Sequence, residues 1–267
     1  MTNPPYPRLG ECVRAMCLAL DSKAGNRDVD RLARDGDFDW AKLDNLFNDL
    51  LVEGTRRLLG PLADEVFGPW LQLVRTDYCL LVLDVPLDAV DRAQALPALV
   101  EDFFTPHALR LLVQLHERLP GPGLGRLLDN NGTPVRTVLE WLDEGVGSPV
   151  DKLLYPGTTG ADKSWRDKMS KWRTGVDLPS GQSLKLLLDD LRSAPGTRSH
   201  ADAAGVWLLT ARALSHFDQL GELPVRPLLR ACFASGRLDG DPRQRLQRLG
   251  AAAGSAWPEM GALGRRL

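Results

Sequence analysis

The sequence predicts an all-α protein built as an irregular array of many helices. Three observations predict it. The 267 residues include 49 leucines and no isoleucine, and alanine is also abundant, while Val, Phe, Tyr, Trp and Thr together number only 45. Leucine and alanine lose little freedom on entering a helix, whereas β-branched and aromatic side chains suit a pleated sheet better. Apolar residues recur at spacings of three and four, and Gly/Pro breakers separate the periodic stretches. Arginine outnumbers lysine 26 to 7. With the missing isoleucine this points to the codon bias of a GC-rich genome, which would make part of the leucine excess genetic.

Leu9, Cys12, Val13, Met16, Cys17 and Leu20 fall on one helical stripe. Gly25–Trp40 is rich in aspartate, but it lacks the order of Asp, Gly and terminal Glu that a calcium loop needs. It reads as a solvated helix with a turn. Leu43, Leu46, Phe47, Leu50 and Leu51 begin another helix, stopped by Gly60–Pro61. Pro69 opens a third, whose end, YCLLVLDV, also has the look of a strand. No second strand is there to pair with it, so helix is preferred. Pro86 and Pro97 punctuate the next stretch. Thr105–Pro106 starts a helix with Leu109, Leu112, Val113 and His116 on one face. Two breakers, PGPGLG at 120–125 and DNNGTP at 129–134, flank one short helical turn. Arg192–His200 is a further linker, after which Ala201–Leu220 and Pro224–Ser235 read as a helical hairpin. Asp241–Gly250 and Trp257–Leu267 add two short helices. The breakers divide the chain into an acidic region 1–130, a middle region 131–192 and a basic region 193–267.

Charge follows this division. Residues 1–150 carry 15 basic and 23 acidic side chains, and residues 151–267 carry 18 basic and 12 acidic. Such a split suits a basic face for nucleic acid, or complementarity between the two halves of one molecule. No stretch approaches the roughly 18 apolar residues of a membrane helix. The start MTNPPYPRLGE lacks the basic and apolar blocks of a signal peptide, and a cytoplasmic protein is expected. Cys12, Cys17, Cys79 and Cys232 form no C-x-x-C pair and read as buried thiols.

The stretch DKSWRDKMSKWRTGVDLPSGQSLKLLLDDL, residues 162–191, stands apart. Asp162 is a plausible N-cap for a helix running to about Thr174. Trp165, Met169 and Trp172 make one apolar stripe, while Lys163, Arg166, Lys168, Lys171 and Arg173 project around the rest. Gly175 suits the left-handed end of a helix. Ser180 caps the next helix, where Leu184, Leu187, Leu188 and Leu191 face inward. Ser170, Trp172, Gly175, Pro179, Ser183, Leu184 and Leu187 stand at ungapped spacing. In this they resemble the end of the recognition helix, the turn and the fourth helix of the lambda-repressor/Cro-like helix-turn-helix family.

The resemblance implies an embedded helix-turn-helix-like unit near residues 133–192. It also implies that Arg166, Asp167, Lys168 and Lys171 lie on or near the DNA-facing side. The chain departs from the family in three places. Arg173 stands where a glutamate usually follows the aromatic. Trp165 stands where small polar residues are usual. Thr158–Thr159 replace an expected Leu-Ala pair. Pro149–Tyr155 fills the missing helix only with a lengthened turn, and Pro134–Glu144 is then the first helix. The same residues also fit two ordinary helices joined by a Gly-Pro turn with a solvated basic face. A second basic element carries Arg226, Arg230, Arg237, Arg243, Arg245 and Arg248. It reads either as a phosphate-binding face or as the ordinary surface of an arginine-rich protein.

Enzyme signatures are missing from the sequence. The glycines of PGPGLGR precede no Lys-Ser/Thr and follow no strand, so this is no phosphate-binding loop. His107, His116, His200 and His216 make no metal-binding pattern, and there is no G-x-S-x-G elbow. The expectation is therefore a non-enzymatic bacterial protein that binds DNA or RNA without a cofactor. Its contacts would come from Lys163, Arg166, Lys168, Lys171, Arg173, Arg226 and Arg230. The competing expectation is a helical scaffold subunit that touches protein partners and no nucleic acid.

Overall fold

The computed structural model describes residues 9–21, 63–84, 92–220, 224–238 and 243–252, with isolated positions between 27 and 61. Among the described residues every regular element is helical and none is a strand, so the protein is all-α. The sequence elements at 28–44, 85–91 and 257–267 lie outside the described residues, as does most of the 43–51 stretch.

Helix α1 spans Leu9–Ala19. A π-helical turn, Ala63–Phe67, leads into α2, Gly68–Asp84. Residues 78–84 of the YCLLVLDV segment are thus the last two turns of a helix, as its missing partner strand suggested. Helix α3, Arg92–Leu99, runs through a second π-helical turn, Val100–Phe104, into α4, Thr105–Arg118. Phe103 sits against Tyr78 of α2 at 5.9 Å and against His107 at 4.5 Å between ring centroids. Trp70 donates its indole N–H to the His107 carbonyl at 2.7 Å, locking α2 onto α4.

The single turn α5, Leu124–Leu127, is followed by four helices in close succession. These are α6 (Pro134–Val146), α7 (Val150–Leu154), α8 (Gly160–Thr174) and α9 (Gly181–Ser193). The long α10, Arg198–Leu220, then turns into α11, Val225–Ser235, and α12, Arg243–Ala252, follows. Helix α10 is the axis of the molecule, with α1, α6, α9 and α11 packed around it. Its fully buried Ala201, Ala204 and Ala211 let neighbouring backbones come close. Trp207 of α10 is also fully buried and donates its indole N–H to the Pro120 carbonyl at 2.9 Å. At Gly121 a Cβ would lie 2.2 Å from that indole nitrogen. The PGPGLG breaker therefore needs its first glycine for close approach to α10.

One continuous cluster of buried side chains runs from Val66 to Cys232 and crosses the boundaries expected near residues 130 and 192. Cys17 and Cys232 are buried free thiols. No described helix is long and apolar enough to cross a membrane.

Candidate nucleic-acid interface

Local chemistry sets the ends of α6 to α9. Thr133 caps α6, its hydroxyl accepting from the Arg136 N–H at 3.1 Å, and Pro134 fills the first position, where a missing N–H costs nothing. Gly147, at φ 73°, ends it. Asp143 near the end of α6 accepts the Val150 N–H at 2.8 Å and so fixes the start of α7. Helix α8 begins three residues earlier than expected, with Thr159 at the cap position. Asp162 accordingly lies in the first turn. Its carboxylate accepts the Gly157 N–H at 2.8 Å and folds the preceding loop back onto the helix. Gly175 ends α8 at φ 73°, and the Val176 N–H reaches the Lys171 carbonyl at 3.0 Å in a Schellman closure. Ser180 caps α9 by accepting the Ser183 N–H at 3.2 Å.

The inward face of α8 carries Met169 and Trp172, both fully buried. Helix α8 packs on α6, whose Val135, Val138, Leu139 and Leu142 are fully buried in the same cluster. Trp165 is half-buried and stacks on Tyr155 with centroids 5.3 Å apart and planes 5° from parallel. The Tyr155 hydroxyl donates to Asp190 at 2.6 Å, and burial together with that bond pushes the phenol pKa up. The tryptophan that departs from the family pattern is thus a strut between the α7–α8 loop and α8.

The outward face holds Lys163, Ser164, Asp167, Ser170 and Lys171, all exposed. Lys163, Asp167, Lys168 and Lys171 line one shallow polar depression together with Asp177. Neither Lys163, Arg166 nor Lys171 makes an ion pair or side-chain hydrogen bond with another described residue. Lys168 is half committed. Its ammonium donates to the Ser183 hydroxyl at 2.8 Å and stands 5.0 Å from the Trp165 ring centroid.

The remaining expected cations are placed differently. Arg173 turns into the unit and bridges Asp143 at 3.0 Å and Asp151 at 3.5 Å, with 22% of its side chain exposed. It ties α8 to α6 and α7. Arg226 is paired with Asp218 and donates to the carbonyls of Asp129 and Gly132, both at 2.8 Å. Burial raises the pKa of Asp218 more than Arg226 lowers it. Arg230 reaches Asp129 at 3.3 Å. Both arginines of α11 therefore dock on the 129–132 loop. Arg237 and Arg245 bind Asp102, at 2.9 and 3.1 Å, and Arg245 also binds Glu101 at 2.7 Å. Arg173, Arg230, Arg237 and Arg245 each meet an acid of residues 1–150, so the charge split of the sequence is in part complementarity between the two halves.

Sequence reasoning missed the contact that anchors the α8–α9 turn. Arg212 of α10, only 7% exposed, donates to the carbonyls of Pro179, Leu18 and Ala19, and its guanidinium lies 3.4 Å from Asp21. Asp21 in turn accepts the Gly181 N–H at 2.6 Å, at the first residue of α9. No local signal marks partners 160 residues apart. Among the described residues no group of three or more His, Cys, Asp or Glu side chains could hold a metal ion. Comparison with protein-family models, with curated proteins and with solved structures gave no match for this chain.

Proposed function

We propose that this chain is a non-enzymatic, cytoplasmic, nucleic-acid-binding protein in which α6 to α9 act as a helix-turn-helix-like unit and α8 is the contact helix. One observation carries the reading. Lys163 and Lys171 lie exposed on one face of α8 with no described partner, whereas the arginines of α11 are neutralised by the protein's own acids. An α-helix fits the major groove of a duplex, and the 15 residues of α8 make it about 22 Å long.

In this reading Lys163 and Lys171 meet phosphates eight residues apart, two helical turns along one face. Arg166 supplies the planar fork suited to phosphate or to a guanine edge. Lys168 joins them on leaving Ser183. Arg173 and Arg226 hold the unit together instead of touching nucleic acid. Met169 and Trp172 set the rotation of α8 so that its basic side faces out.

Titration of labelled duplex and single-stranded DNA with the full chain, at low and at physiological salt, tests the proposal. Affinity for the duplex should fall steeply with salt, because bound phosphates release counterions. Preference for the single strand would contradict the groove reading. Absence of binding at low salt would leave the scaffold reading in its place.

A further inference from the structure

A cavity of about 150 Å³ opens on the other side of α10, between α1, α2, α4 and α11. Phe67, Trp70, Leu112, Leu209 and Phe217 make much of its wall. Thr210 brings the one hydroxyl among its lining residues. The indole N–H of Trp70 is already committed to the His107 carbonyl. Among the described residues no charged side chain lines it.

Protein interiors are packed so closely that few voids exceed one water molecule. A water held in such a void needs two to four polar partners. The cavity is partly open to solvent and its described wall has one hydroxyl to give, so water inside it is poorly held and readily displaced. An engineered apolar cavity of about the same volume in another protein takes benzene. We infer that this cavity is a binding site for a small uncharged molecule the size of one aromatic ring, carrying at most one hydrogen-bonding group. A charged ligand is excluded because its ion would lose its hydration with nothing in the wall to replace it. The inference is independent of nucleic-acid binding, since no residue of α8 touches the cavity.

The test is a ligand-observed NMR titration of the full chain with toluene, with benzoate as the charged counterpart of the same ring. Ala108 and Ala213 both line the cavity, so Ala108→Leu and Ala213→Leu each place three extra carbons in it. Toluene should bind saturably to the wild type, at least tenfold more weakly to each filled variant that still melts cooperatively, and benzoate should not bind. A wild type without saturable toluene binding, equal binding of benzoate, or unchanged affinity in the folded filled variants would overturn the inference. Should neither variant fold, the contrast between toluene and benzoate on the wild type decides.

Discussion

Two cations two residues apart on α8 have opposite surroundings, and their substitutions should separate accordingly. The Lys171 side chain is exposed and makes no ion pair or hydrogen bond with a described residue, so Lys171→Ala should leave stability within about 0.5 kcal/mol of wild type. Arg173 joins Asp143 and Asp151, and Arg173→Ala leaves two carboxylates facing each other across α6 and α7. Urea unfolding should show a loss of roughly 1–3 kcal/mol for that variant. If it folds, its nucleic-acid salt dependence should match the wild type. A reduced salt dependence in Arg173→Ala would return this arginine to the phosphate contacts that its sequence position suggested.

His216 supplies a pH test at the same scale. Its Nε2 is buried without a hydrogen-bond partner among the described residues, and burial, aided by nearby Arg212, holds its pKa below the ordinary value. The unfolded chain therefore takes up this proton first. The sign follows from linkage: as pH falls below about 6.5, the unfolded state gains more from protonation and stability drops. Urea midpoints at about pH 7.5 and about pH 5.5 bracket that window. His216→Gln should lessen the fall between them, and an identical fall in both proteins would remove His216 as its source.

At the scale of the element, α8 depends on its C-terminal glycine. Gly175 has φ 73°, and a Cβ there would also lie 2.7 Å from the Thr133 methyl group. Gly175→Ala should cost at least about 1 kcal/mol from backbone strain, more if Thr133 cannot move. Trp172 fixes the rotation of α8, and Trp172→Ala should cost about 3–5 kcal/mol in the same unfolding assay. These two positions were legible in the sequence because their signals are local: a glycine after a basic last turn, and apolar spacing of three and four. Ser180 belongs with them, since a cap is read within three residues. The true start of α8 was not legible, because the Asp162 carboxylate serves a loop N–H instead of its own helix. Arg173 was misplaced for a related reason. Periodicity gives the direction of a side chain, but the acids that capture it come from α6 and α7.

At the scale of the molecule, the all-α class was legible because it follows from many repeated spacings. The tertiary pairing was not. Asp21 meets Gly181 across 160 residues and Arg212 across 191, and nothing near any of them in the chain announces the contact. The acidic and basic halves were visible as a composition shift, yet only the packed structure shows that Arg237 and Arg245 are spent on Glu101 and Asp102. That internal neutralisation takes Arg226, Arg230, Arg237 and Arg245 out of the second basic element and leaves α8 as the candidate interface.

The central claim is that α8 carries the free positive charge which meets nucleic acid. Its most direct measurement is the slope of log affinity against log salt for duplex DNA, for the wild type and for Lys163→Ala/Lys171→Ala. With up to four phosphates met by Lys163, Arg166, Lys168 and Lys171, the wild-type slope should be no steeper than about −4, and the double variant should lose close to two units of it. Equal slopes in the two proteins, with both folded, would contradict the account.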